Sequence, residues 1–199
     1  AGLALVVLFA VGGSAYWVNH NVVLVGRDAA GHLEQSILVA KALASRSWQG
    51  LFEATVLDEY RPPGLYLLTQ PAYWLFGRDR QIALIPNIAM LGAVVVLTFV
   101  LARKVAGNRL ALFAALLVSL LPMAAAMARL YYMETLLTTA LLLALLALLK
   151  SDGFAARRWA LAWATVSASW LASTASTRAS GRSFCRASAM APLPVPRSS

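Results

Sequence analysis

Cysteine is almost missing from this chain: Cys185 is the only one in 199 residues. An internal disulfide and a cysteine metal cluster are thereby excluded. Acid is scarce as well, with 8 Asp and Glu against 17 Lys and Arg, and none follows Asp152. Strict apolar–polar alternation is absent, which argues against a porin-like barrel. No internal repeat is visible, which argues against the paired broken helices of a transporter built from repeated halves.

What is present is apolar. Hydrophobic residues make up 60% of the chain, against roughly 45–50% in soluble domains, and the mean hydropathy is +0.70. The runs are continuous, so the fold class is all-α, a polytopic helical membrane protein. The length allows four or five spans of about 20 residues each. A net charge of +9 first suggests nucleic acid, but its placement does not. Arg103, Lys104 and Arg109 fall between two apolar runs, and Lys150, Arg157 and Arg158 follow a third. Short basic loops flanking spans mark the cytoplasmic side, so no nucleic-acid partner is expected.

Spans are expected at about 1–18, 82–102, 110–128 and 131–149. The first has no basic leader and no A-x-A site before a mature domain, so it reads as a span rather than a signal peptide. Because the sequence begins on Ala1 rather than Met, it is expected to start inside a longer product. Residues 19–81 form an external loop. Within it, 29–44 places Leu33, Ile37, Ala40, Leu43 and Ala44 at helical spacing, with Glu34 and Lys41 on other faces, as in an amphipathic helix on a membrane surface. Asp28 stands where its N-cap would be. Trp48, Leu51 and Phe52 suggest a second interfacial turn. The aromatic stretch 64–77, with Pro71 inside, is too short to cross and reads as a re-entrant or interfacial helix. After Ala164, Ser, Thr, Ala and Arg replace Leu. Residues 1–163 are therefore a transmembrane region and 164–199 a Ser/Arg/Pro-rich tail, either disordered or derived from a frameshift.

Carboxylates beside a bilayer are costly and so are functional candidates. Asp28 and Glu134 are two such acids. If 64–77 does not cross, two spans separate them and both lie on one face, opposite the basic loops and hence outside. If it does cross, they lie on opposite faces.

Several motifs in order resemble the GT-C glycosyltransferases that use polyprenyl-phosphate sugars. The nearest branch is the glycosyltransferase 39 type, which holds protein O-mannosyltransferases and the aminoarabinose transferases of lipid A. Asp28 after a first span is similar to that family's first-loop acid. Arg61-Pro62-Pro63-Gly64-Leu65-Tyr66 resembles its Pro-Pro entry, and Leu75-Phe76-Gly77 its Leu-Phe-Gly. Ala83-Leu84-Ile85-Pro86 resembles its Ala-x-Arg-Leu-Pro, with Leu84 in place of the arginine and Arg80 one turn earlier. Ala102-Arg103-Lys104 through Gly107, Arg109 and Leu112 resembles its basic loop. Arg129 to Leu137 is similar to the stretch carrying a second acid, here Glu134 where many relatives have Asp. The resemblance covers roughly 1–163. It implies the N-terminal part of a longer multi-pass enzyme of the inner (plasma) membrane, with amphipathic juxtamembrane helices in its first external loop.

The chemistry implied is transfer of a sugar from a polyprenyl-phosphate donor to a hydroxyl of a lipid, glycan or protein acceptor, with inversion. A carboxylate must take the hydroxyl proton, and cations or amide dipoles must stabilise the departing phosphate. Asp28 is the candidate base, and Glu134 an orienting acid or a ligand for an amine or metal. Arg61, Arg129 and Lys41 are candidate phosphate partners, the arginines best because their fork matches phosphate oxygens. Tyr60, Tyr66 and Tyr131 are candidates to line the sugar pocket. No cofactor is assigned, and a divalent metal is left open. Plainer roles stand beside these. Asp28 can be only a helix cap, Glu134 a snorkelling rim residue, His32 an exposed interfacial residue, and the aromatics an ordinary belt. The competing functions are a non-catalytic transporter or membrane subunit and an inactive fragment of the transferase.

Overall fold

The computed structural model describes residues 1–21, 27–57 and 63–151, together with 156, 158, 159, 161 and 163–165. The regular secondary structure of the described residues is helical throughout. With its long apolar helices, the chain is a helical membrane protein. Arg61, Tyr60 and nearly all of the expected tail lie outside the described residues.

Helix α1 (Gly2–His20) is apolar on every side. It turns Val6, Ala10, Ser14 and Val18 inward and leaves Leu5, Leu8, Phe9 and Tyr16 exposed. Such a helix gains little by hiding apolar surface from lipid, so small residues that permit close approach hold it in place. Gly92 shows how close that approach is: a Cβ there would stand 3.0 Å from Val11 Cγ2.

Gly92 belongs to α6 (Ile85–Leu120), a helical run broken at Gly107, whose φ of 77° and ψ of 177° are not helical. A side chain rarely tolerates that region, and glycine does. The break reverses the chain. Gly92 lies against Val7 and Val11, whereas Leu112 lies against Gly2. The limb 85–106 thus runs antiparallel to α1, and 108–120 runs back beside it. Arg103, Lys104 and Arg109 cluster at the turn, within the loop the sequence places between its two middle spans.

Pro122 then starts α7 (Pro122–Arg129), which is followed after a bend of 117° by α8 (Glu134–Lys150). Among the described residues, the runs Gly2–His20 and Arg80–Leu120 have the length and apolar character of a membrane crossing, and α7 with α8 has it only as one bent pair. Tyr131 and Tyr132, expected to open a span, sit in the bend before α8.

Asn87 holds that bend. Fully buried, it donates through Nδ2 to the carbonyls of Leu130 (2.7 Å) and Tyr132 (3.0 Å). Asn87→Ala strands both carbonyls, and we expect it to cost about 2–4 kcal/mol. A thermal melt of the solubilised protein would reveal this, and an unchanged midpoint would show that the bend does not depend on Asn87.

The described residues between α1 and α6 fold over the His20 end of this bundle as short helices. They are α2 (Arg27–Ala44), α3 (Trp48–Phe52) continued by a wider π turn (Glu53–Leu57), α4 (Gly64–Phe76) and α5 (Arg80–Ala83). The cap shares one core with the bundle: Val18, Val39, Leu65, Tyr66, Leu84, Ile88 and Tyr131 are all buried there. Helix α4 is built inside out. Its buried face carries Tyr66, Thr69, Gln70 and Tyr73, while Leu67, Leu68, Trp74, Leu75 and Phe76 point outward.

Candidate functional site

The polar faces of α2 and α4 meet each other. His32 Nδ1 and Tyr66 Oη are 2.7 Å apart, and the Ser36 and Tyr73 hydroxyls 2.9 Å. Gln70 donates to the carbonyls of Tyr66 and Ser36. The Thr69 and Tyr131 hydroxyls, 2.6 Å apart, extend the ladder to the bend before α8. Burial pushes the Tyr73 phenol above its ordinary range, with the Ser36 hydrogen bond opposing the shift. The ladder pairs most of its buried polar atoms, as burial demands, although the Gln70 Oε1 has no partner among the described residues.

This ladder corrects one expectation outright. His32 is not an exposed interfacial residue: only 8% of its surface is accessible, and its ring contacts Tyr66 and, edge-on, Tyr132. Asp28 also differs from its simplest reading. It lies inside the first turn of α2, which begins at Arg27, and it is exposed rather than capping.

Glu134 occupies the same place on α8, in its first turn and exposed. The two acids therefore open α2 and α8, and the residues just after Asp28 and just before Glu134 meet at one ring contact. His32 follows Asp28 by one turn, Tyr132 precedes Glu134 by two residues, and the His32 and Tyr132 rings are 6.0 Å apart. Tyr66 and Tyr131, candidates for a sugar pocket, are turned inward with 0% and 3% exposure, and both hydroxyls have partners.

The cations separate. Arg80 and Arg129 line one narrow cleft together with Ala29, Leu33, Leu84, Leu130 and Tyr131. Its volume of about 10 Å³ admits a water-sized group and not a sugar. Ala29 directly follows Asp28, so the cleft that both arginines line lies beside the turn carrying the candidate base. Arg80 donates to the Asn21 carbonyl at 3.1 Å. The Arg129 guanidinium stands 5.5 Å from the Trp17 ring centroid, and its buried Nε has no acceptor among the described residues. A larger open groove of about 480 Å³ shares Arg129 and Leu130 and is otherwise lined mainly by apolar residues, among them Phe9, Trp17, Leu120 and Pro122.

Lys41 is elsewhere. Thirteen residues along α2 put it about 20 Å from Asp28, in a surface groove with Gln35, Ser47 and Glu53. Arg80 is the cation that motif matching undervalued, because the sequence shows it only as a residue one turn ahead of the substituted position. Among the described residues, no three His, Cys, Asp or Glu side chains gather to hold a metal, and the His32 Nδ1 is already engaged by Tyr66.

A protein-family model described as dolichyl-phosphate-mannose-protein mannosyltransferase matches residues 60–178. No curated protein and no solved structure matches the chain.

Proposed function

We propose a reaction from one premise: the chain belongs to the dolichyl-phosphate-mannose-protein mannosyltransferase family, whose model covers more than half of it. The family is one of membrane glycosyltransferases of the mannosyltransferase type. Our reading is that the full protein moves a sugar from a polyprenyl phosphate to an acceptor hydroxyl on the outer face of the plasma (inner) membrane, as a multi-pass enzyme.

The observation that carries this reading is the convergence of Arg80 and Arg129 beside the first turn of α2. The reaction needs a base and an anion-stabilising pair close together. Asp28 takes the acceptor proton as the acceptor oxygen attacks the anomeric carbon. The carbon–oxygen bond to phosphate breaks, its electron pair leaves with the phosphate, and the guanidinium groups offset the charge. A single displacement of this kind inverts the anomeric centre. Glu134, at the start of the neighbouring helix, orients the acceptor. The groove beyond Arg129 is apolar, as the isoprenoid of such a donor requires.

The test uses membranes carrying the full-length protein, supplied either with mannose linked to polyprenyl phosphate or with nucleotide-activated mannose. We expect labelled product and free polyprenyl phosphate from the first donor only. Transfer from the nucleotide sugar with the lipid-linked donor inert would overturn the proposal.

A further inference from the structure

We infer that His32 and Tyr66 are positioning residues for Asp28, and that their hydrogen bond sets where the carboxylate stands. The inference rests on the proposed role of Asp28 as base and goes beyond it.

His32 and Asp28 are one helical turn apart, about 6 Å along the axis. The first turn of α2 is therefore tied to the rest of the protein by what His32 and its neighbours touch. Ala29 packs against the arginine cleft with 2% exposure. His32 meets Tyr66 through a bond of 2.7 Å between elements 34 residues apart in sequence. The Tyr66 ring then lies against Tyr131 with centroids 6.5 Å apart and planes inclined by 28°. Tyr132, next in the chain, returns to the His32 ring at an interplanar angle of 77°. The four rings close a loop that joins the second turn of α2, the first turn of α4 and the bend before α8.

Apolar packing alone would hold these helices together but would leave the rotation of α2 loosely set. A hydrogen bond is directional, and a buried polar pair must keep its geometry or lose its partner. The pair thus fixes the helix's angle about its own axis, and with it the direction in which Asp28 projects. A base displaced by about 1 Å can lose roughly a hundredfold in rate.

Tyr66→Phe removes one oxygen and keeps the ring contacts. In the full-length enzyme we expect kcat to fall about tenfold, with the KM for the lipid-linked donor within about twofold, because the ground-state site is intact while the base is misaligned. Asparagine places a polar atom near the histidine Nδ1 position and leucine does not. His32→Asn should therefore retain activity that His32→Leu loses. The double variant H32L/Y66F should be no slower than the slower single, because both lose one interaction.

Rates are taken per folded molecule, with a thermal melt of each variant. Wild-type kcat in Tyr66→Phe, a loss explained wholly by less folded protein, or equal damage from Asn and Leu at position 32 would each overturn the inference. Should Tyr66→Phe fail to accumulate, the position-32 pair decides. Asp28→Asn is assayed alongside. If it remains active, the base assignment falls and takes this inference with it. If it is inactive while Tyr66→Phe and His32→Leu are normal, only the positioning role falls.

Discussion

Asp28→Asn should slow sugar transfer by the full-length protein by about 10²–10⁴-fold, the usual worth of a positioned general base. Asparagine has nearly the shape of aspartate but cannot take a proton from the acceptor hydroxyl. Asp28 is exposed, so the substitution should change stability by no more than about 0.5 kcal/mol, and a loss of rate cannot be ascribed to misfolding. The measurement is kcat with a lipid-linked donor, beside a thermal melt. Glu34→Gln is the matched control. It neutralises another exposed acid on α2, and we expect its rate to stay within about twofold of the parent, as for surface changes away from the chemistry. Turnover by Asp28→Asn within a few-fold of the parent would remove Asp28 from the mechanism.

Arg80 and Arg129 carry the second large effect. Charge grows on the leaving phosphate as its bond to the sugar breaks, so donors aimed there act mainly on the transition state. Losing one such donor typically costs 10²–10³-fold in kcat. We expect Arg129→Gln to fall in that range, Arg80→Gln somewhat less because its guanidinium is shared with the Asn21 carbonyl, and the pair together more than either. Arg129→Lys should recover only part of the loss, since an ammonium keeps the charge but not the planar fork. Single-turnover rates with the lipid-linked donor separate this from simple loss of binding. A double variant within about threefold of the parent would show that the cleft does not meet the phosphate.

The helical, membrane-embedded character was the most legible part of the chain, because lipid enforces long apolar runs. Even the reversal at Gly107 lies where the basic loop was read. The cap was harder. The apolar stripe read on α2 was Leu33, Ile37, Ala40, Leu43 and Ala44, whereas the side chains that disappear most completely include Ala29, His32, Ser36, Val39 and Ala40. The hydrophobic-period rule assumes water on the outside and oil within. Here the face of α4 against α2 is polar, so α2 answers with histidine and serine, while Ala40 enters the core and Leu33 and Leu43 pack at its edge. The site followed the same pattern. Asp28, Glu134 and Arg129 were visible as charges at the rims of apolar segments. Arg80 was not singled out, because only folding brings residue 80 and residue 129 into one cleft. Lys41 was a candidate by charge alone, and the length of α2 takes it away.

The inverted build of α4 has a mechanical result. A helix on a water-facing surface can roll slightly about its axis at little expense, since water will bond to whatever is brought round. Rolling α4 would carry the hydroxyls of Tyr66, Thr69 and Tyr73 and the amide of Gln70 towards the side now occupied by Leu67, Leu68 and Trp74. That side is apolar, so each group moved there would leave its present partner, and a buried bond left unmade costs about 1–3 kcal/mol. Surroundings that are poor in hydrogen bonds thus act as a lock. The helix behaves as a keyed shaft, and the parts that mesh with it inherit its setting.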